Sequence, residues 1–333
     1  MSGEIGISVI MSCYNSGCYL DEAIESILVQ SFRDFELILI DDFSEDDTLA
    51  ICYRYKERDE RIKVLALPVN SGAAFARNAG VKLANCEWIA ILDSDDVAEP
   101  NRFAEQLKLA KSNSHLVLIG SNASLIDKNS RILRNYSYPT GDRVLKKRLH
   151  SMKAFPPHSS MIYRREVFHQ VIGFNQRYIR SEDWDLWLRM SERGQFASVD
   201  KSLVKIRKHE NNISNTDNGM LQEKYGLIAA ICQILRDNGY PDPSTNKDEE
   251  VWEKFVSLVT ELMTTNGVFE RKKFWVENVR EYRLNRNKLK GIFYFGTNML
   301  KSGYAIRLIM DRLNNKSLAK QLFNKLNQDG CVE

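Results

Sequence analysis

Apolar and polar positions alternate along the first third of the chain in blocks that read as strand, helix, strand, helix. Ile7 to Met11 is a short β-branched run, and Leu20 to Gln30 then places Leu20, Ile24, Ile27 and Leu28 on one helical face. Phe35 to Ile40 is a second strand. Ser44 with Asp47 three residues on predicts an N-capping pair for a helix through about Glu57. Ile62 to Leu67, a turn at Asn70-Ser71-Gly72, a helix over Ala73 to Ala84 and a strand over Trp88 to Leu92 continue the alternation. Pro100 opens a helix through about Lys111, and Leu116 to Gly120 gives a fifth strand. Such alternation predicts an α/β fold with a mostly parallel, helix-covered sheet.

Beyond about residue 121 the rhythm loosens. Short runs at Ser159 to Tyr163, Phe196 to Val199 and Leu203 to Arg207 read as strands, and Ser181 to Arg193 as a helix whose buried side is Trp184, Trp187 and Leu188. From Leu221 the pattern is helical, over about 221–237, 248–265, 270–289 and 300–327, with Pro241 and Pro243 marking a break. The reading divides the chain into an α/β domain over 1–215, with halves over 1–120 and 121–215, and a C-terminal helical region over 216–333.

The length of 333 residues accommodates one such core with an appended part, and 43% hydrophobic with 27% charged residues is ordinary for a folded soluble protein. The net charge of +3 hides an asymmetry. Residues 271–333 hold fourteen Lys/Arg against five Asp/Glu, a local +9 that leaves −6 for residues 1–270. Interleaved with Phe274, Trp275, Phe293, Tyr294, Phe295 and Tyr304, this basic segment suits a peripheral contact with anionic membrane, nucleic acid, or only a solvated helical face. Its charge is spread over several helices without a nucleic-acid module, so no nucleic-acid partner is expected. No stretch reaches the roughly 18 apolar residues of a spanning helix, and the N-terminus lacks the pattern of a signal peptide. Six cysteines without C-x-x-C pairs fit a reducing compartment. The expected location is cytoplasmic, with a peripheral position on the inner face of the cytoplasmic membrane through 271–333.

Acidic clusters carry the chemistry. Asp41-Asp42 and Asp93-Ser94-Asp95-Asp96 each follow an apolar strand, which sets their carboxylates at the carboxyl edge of the sheet, where open α/β sheets bind ligands. Stacked like charges repel unless a divalent cation or ligand N–H groups offset them. The pattern predicts a metal and nucleotide site. A carboxylate at a strand end can accept a ring N–H of a nucleobase, and an aromatic ring such as Tyr14 can lie against its face. Arg77, after a glycine turn, suits the anionic parts of a nucleotide. As plain structure, these residues would be a capping or turn aspartate, an exposed helix arginine and an acidic turn before a helix.

The ordered set Ser12-Cys13-Tyr14-Asn15, Asp41-Asp42-Phe43-Ser44, Asn70-Ser71-Gly72, Arg77-Asn78-Ala79-Gly80, Leu92-Asp93-Ser94-Asp95-Asp96, Glu182-Asp183 and Arg207-Lys208-His209 with Asn212 and Ser214 resembles the family 2 glycosyltransferases of GT-A fold, including those of bacterial surface polysaccharides, over roughly residues 5–215. The resemblance implies a metal-dependent, inverting transfer from a UDP-sugar to a hydroxyl of a glycan or polyprenyl-diphosphate-linked acceptor in O-antigen, capsule or exopolysaccharide synthesis. It makes 1–215 the catalytic domain, with 1–120 its nucleotide-binding half and 121–215 its acceptor half, and assigns Ser12, Tyr14, Asn15, Asp42, Arg77, Asp93 and Ser94 to the nucleotide-sugar. Asp95, Asp96 and His209 fall to Mn²⁺ or Mg²⁺, Asp183 to the catalytic base and Glu182 to its side. Asp42 matches the uracil N3–H contact, leaving Asp41 as a packing or turn residue. Asp185 competes with Asp183, and His158 falls on an acceptor-side loop. Thymine presents the same N3–H, so a dTDP-sugar fits equally.

Two departures accompany the match: Ser12-Cys13 stands where the family often has proline and threonine, and Phe43 where it often has glycine. The Q-x-x-R-W motif and spanning helices of the processive synthases are absent from this sequence, which favours single addition. A sugar-phosphate nucleotidylyltransferase would need a glycine-rich cationic loop in place of Tyr14-Asn15-Ser16-Gly17, and a dinucleotide oxidoreductase would need G-x-G-x-x-G. A noncatalytic nucleotide-sugar-binding or glycan-assembly scaffold is the alternative from another class.

Overall fold

The computed structural model describes residues 6–210, 212, 219–265, 324 and 327. These fall into two compact units. The first comprises residues up to 149, 153–176 and 186–210, and the second 150–152, 177–185 and the residues from 211 onward.

The first unit is built on one nine-stranded sheet. Its strands are β1 (Ile7–Cys13), β2 (Phe35–Asp41), β3 (Ile62–Ala66), β4 (Trp88–Ile91), β5 (Val97–Ala98), β6 (Leu116–Ile126), β7 (Ile132–Tyr136), β8 (Ile162–Arg164) and β9 (Gln195–Arg207). They lie in the order β3-β2-β1-β4-β8-β6-β9-β5, with β7 added on β6. The first four are mutually parallel; β8 runs antiparallel to both β4 and β6, and β6 runs parallel to β9. β1 is buried almost throughout, because its neighbours β2 and β4 fill both edges and helices cover its faces, which explains an apolar run in place of alternation.

The crossovers are α1 (Gly17–Leu28), α2 (Thr48–Arg58), α3 (Ala73–Lys82) and α4 (Arg102–Ser112). Leu20, Ala23, Ile24 and Ile27 of α1 join Val9, Met11, Leu37, Leu39 and Trp88 in one buried cluster. α3 approaches the sheet more closely, through Gly80. The first unit also contains α5 (Asp142–His150) for all but its last residue, and α6 (Arg165–Gln170). This is an α/β fold with a mostly parallel mixed sheet flanked by helices.

Several sequence expectations change in detail. The Ser44–Asp47 capping pair does not form: Asp47 is at the N-cap of α2 but makes no side-chain cap bond, and the Ser44 hydroxyl accepts from Asn15 instead. The separate strands expected over Phe196 to Val199 and Leu203 to Arg207 are one 13-residue strand, β9, continuous because β6 pairs with it across register shifts. The fifth strand extends to Ile126, and a further strand, β7, is exposed over residues 132–135. Ser159 falls in a 3-10 turn, His158–Ser160, before β8.

α7 (Glu182–Ser191) opens in the second unit and continues in the first. Trp187 and Leu188 are buried as expected, whereas Trp184 is half-buried and Asp185 is buried completely. In the second unit α8 (Met220–Asp237) buries Tyr225 through Leu235. α9 (Glu249–Thr265) brings Trp252 to 5.6 Å from the ring of Tyr178, with the Arg177 guanidinium 5.5 Å from the indole. Pro243 starts a 3-10 turn between them. The expected helix over 270–289 lies outside the described residues, as does all but residues 324 and 327 of that over 300–327.

Candidate active site

Four loops at the carboxyl edge of the first unit's sheet gather most of the candidate residues. The loop after β1 is tied to the loop after β2 by a ladder of hydrogen bonds. Asn15 N donates to Ser44 Oγ at 3.0 Å, Glu45 N to Asn15 Oδ1 at 2.9 Å, Ser16 N to Thr48 Oγ1 at 2.7 Å and Gly17 N to Asp46 Oδ2 at 3.0 Å. Ser12 sits in β1 opposite Ile40, and the side chain of Tyr14 stands half exposed beyond the strand end.

Asp42 is 3% exposed. Its amide donates to the Cys13 carbonyl at 2.8 Å, and its two carboxylate oxygens accept from Ser71 N at 2.7 Å and Gly72 N at 2.8 Å. It therefore fastens the glycine turn ahead of α3 to the end of β2. Gly72, with φ of +84°, adopts a backbone conformation that a side chain would strain. Each Asp42 oxygen keeps a second lone pair for a further donor. Asp41 places one oxygen on Ser44 N at 3.2 Å and buries the other, in keeping with a turn and packing role.

The Asp93-Ser94-Asp95-Asp96 loop gives its three carboxylates three different sets of partners. Asp93 accepts from Arg77 Nη2 at 2.8 Å and from Ser159 Oγ at 3.1 Å. Burial works against its ionisation, but the Arg77 charge and these hydrogen bonds hold the carboxyl below the usual carboxylate range. Ser94 shares a hydroxyl hydrogen bond of 2.7 Å with Ser16. Asp95 Oδ2 lies 2.9 Å from His209 Nε2, and the imidazole packs 4.9 Å from the ring of Tyr19. Burial and the neighbouring Asp93 push Asp95 up, against the pull of His209. Asp96 is buried, with one oxygen on Ser159 Oγ at 2.5 Å and the other on Arg207 N at 2.8 Å. Burial, then Asp95 and Asp93, raise it well above the carboxylate norm.

These donors suit a divalent cation. Asp95 and His209 offer a carboxylate oxygen and an imidazole nitrogen side by side, both still partly exposed. Both Asp96 oxygens are already engaged by protein donors. No group of three or more His, Cys, Asp or Glu arranged for a metal occurs among the described residues. The remaining ligands of an ion here would be substrate oxygens and water, as is usual for Mg²⁺.

Two residues that sequence reasoning did not assign hold this loop. Ser159 bridges Asp93 and Asp96, and only its place after Pro156-Pro157-His158 signalled it. Arg207 is almost fully buried: Nε donates to the Asp95 carbonyl at 2.8 Å, Nη2 to Glu22 at 2.6 Å and Nη1 to Ser130 Oγ at 3.0 Å. It fixes both the acidic loop and the strand end that leads to His209. His158 stands 5.6 Å from Phe174 and 6.0 Å from Trp187, ring to ring, with Nε2 buried and without a hydrogen-bond partner.

Glu182 and Asp183 belong to the second unit, in the first turn of α7. Asp183 Oδ1 accepts from the amide of Trp184 at 2.7 Å, and Ser181 just before it donates its hydroxyl to the Gln222 carbonyl at 2.7 Å. Asp185 lies in the same unit near Arg236 and Tyr178, which marks it as part of a buried polar cluster.

Comparison with known proteins points in one direction. The model described as "Glycosyl transferase family 2" matches residues 8–172. An uncharacterized glycosyltransferase of Haemophilus influenzae is 32% identical over 221 residues, spanning 64% of this chain and 68% of that protein. The putative glycosyltransferase EpsE of Bacillus subtilis is 32% identical across 69% of this chain and 83% of its own. The O-antigen biosynthesis glycosyltransferase WbnJ of Escherichia coli is 32% identical across 55% and 71%. Among solved structures, residues 1–349 of S. aureus TarS with UDP-GlcNAc superpose with a TM-score of 0.59 at 18% identity, covering 97% of this chain and 92% of that one. The mannosyltransferase PcManGT of Pyrobaculum calidifontis, with GDP-Man and Mn²⁺, gives 0.54 at 15% identity, covering 90% and 88%.

Proposed function

The chain belongs to glycosyl transferase family 2, and from that premise we propose that it is a metal-dependent, inverting enzyme of bacterial surface-polysaccharide assembly. It takes a UDP-sugar as donor and a hydroxyl of a glycan or lipid-linked glycan as acceptor. The observation that carries the reading is the Asp95–His209 pair, 2.9 Å apart, beside Arg77–Asp93 at the end of β4. The relative named for O-antigen biosynthesis supports the polysaccharide context. TarS with UDP-GlcNAc supports the donor class, and PcManGT with Mn²⁺ supports the cation.

Asp42 keeps lone pairs for the N3–H of the base, and Tyr14 offers a ring face to it. Asp93 stays ionised because Arg77 is paired with it, ready to accept from a ribose hydroxyl. Asp95 and His209 would hold the cation, whose charge, when it is bound, offsets that developing on the departing diphosphate. Asp183 is the proposed base, with Glu182 beside it. It takes the proton of the acceptor hydroxyl as that oxygen bonds to the anomeric carbon from the face opposite the leaving group. The bond from that carbon to the diphosphate oxygen breaks, its electron pair leaves with UDP, and the anomeric configuration inverts.

Titration of UDP with and without Mn²⁺ tests the site. Mn²⁺ should tighten UDP binding to the unaltered protein by about tenfold or more, and Asp95→Ala should erase that increment. An Asp95→Ala protein that still gains the full Mn²⁺ effect removes Asp95 from the metal site. The expected membrane contact through 271–333 lies outside the described residues.

A further inference from the structure

Phe43 has φ of +64°, a left-handed conformation that is costly for a bulky side chain. A fold tolerates such cost when packing compensates for it, yet Phe43 is 50% exposed and its ring makes no aromatic or cation contact among the described residues. Strain without packing to offset it concentrates at functional sites. The residue directly follows Asp42, whose carboxylate organises the Ser71-Gly72 turn. Its other neighbour, Ser44, is held by Asn15 N, and Asn15 itself has φ of +48° directly after Tyr14, 49% exposed. Asn accepts that conformation readily and Phe does not. Two cross-braced turns thus each present a half-exposed aromatic residue beside one buried carboxylate. An apolar rim around a few fixed polar groups is the make-up of a site for a flat heterocycle.

We propose that Phe43 is a second aromatic contact for the nucleobase, alongside Tyr14, and that its strained backbone is retained for that contact. This rests on the UDP-sugar reading. The rigid ladder between the two loops orders both aromatic residues before the ligand arrives, which limits the entropy lost on binding. The ligand class is a pyrimidine nucleotide, recognised by ring stacking as well as by the Asp42 carboxylate.

The test uses the full chain, with UDP and UMP as probes, titrated in the presence of Mn²⁺, and thermal unfolding of the same proteins. Phe43→Gly removes both the strain and the ring. It should raise the unfolding temperature while weakening UDP and UMP by the same factor, about five- to tenfold, the size of one lost aromatic stacking partner. Phe43→Tyr should bind both as the unaltered protein does. Equal binding by Phe43→Gly and the unaltered protein overturns the proposal, and a loss confined to UDP does so by moving the contact to the diphosphate. A lower unfolding temperature for Phe43→Gly also overturns it, because the ring would then be packed into the fold. If the unaltered protein binds neither nucleotide, the donor reading fails and the proposal with it.

Discussion

Asp93, Asp95 and Asp96 stand within four residues, and what lets them coexist is that each faces a different set of partners. Arg77 draws Asp93 below the usual carboxylate range, His209 sits against Asp95, and Asp96 is buried on a serine hydroxyl and a backbone amide. Even so, burial and then Asp93 raise Asp95, and burial and then Asp95 and Asp93 raise Asp96. Asp183 is simpler, a carboxylate in the first turn of a helix with one oxygen on the next residue's amide. If it is the base, Asp183→Asn should keep UDP affinity within about twofold and lower turnover by about 10²- to 10⁴-fold, the usual scale of a lost general base. A sugar-transfer assay beside a UDP titration reads both, and undiminished turnover assigns the proton transfer to another group.

At the scale of elements, α3 places Arg77 opposite Asp93, and Gly80 sets how closely that helix lies on the sheet. A Cβ at Gly80 would meet Ile40 Cδ1 at 2.5 Å, Ile40 Cγ1 at 3.0 Å and Ile10 Cγ2 at 3.1 Å. Either Ile40 leaves its rotamer or the helix moves away from β1 and β2. Gly80→Ala should therefore destabilise the protein by about 1–3 kcal/mol in urea unfolding, as overpacking does. An unchanged urea midpoint would show that Ile40 rotates freely aside. The alternation up to β4 was legible in sequence because each strand is a compact apolar run and each helix shows a clean face. β9 was not, since its middle, Asp200-Lys201-Ser202, is polar and is held in the sheet by β6 rather than by its own composition. Asp42 fixing the Ser71-Gly72 turn was equally hidden, because the bond spans about thirty residues and nothing local announces it.

For the whole molecule, His158 makes stability depend on pH. Burial, reinforced by Arg77, pushes its pKa down from 6.5 to about 3. The unfolded chain takes up a proton near pH 6.5 while the folded one stays neutral, so this contribution is complete above 6.5 and is lost as pH falls towards about 3. His158→Phe should flatten that acid limb, and comparison of urea midpoints at neutral pH and at about pH 4.5 measures it. Parallel slopes for the two proteins would place the acid limb on other groups.

Sequence by itself determined the parallel α/β core, the strand-end position of the Asp42 and Asp93-to-Asp96 loops and the family, because these follow from hydrophobic period, turn residues and motif order, all local along the chain. Which acid meets which partner is a matter of the folded chain: Arg77 with Asp93, His209 with Asp95, Ser159 and Arg207 with Asp96. Those pairings join residues separated by 16 to 114 positions. They depend on strand order and loop register, which a one-dimensional pattern of apolar and polar residues does not encode.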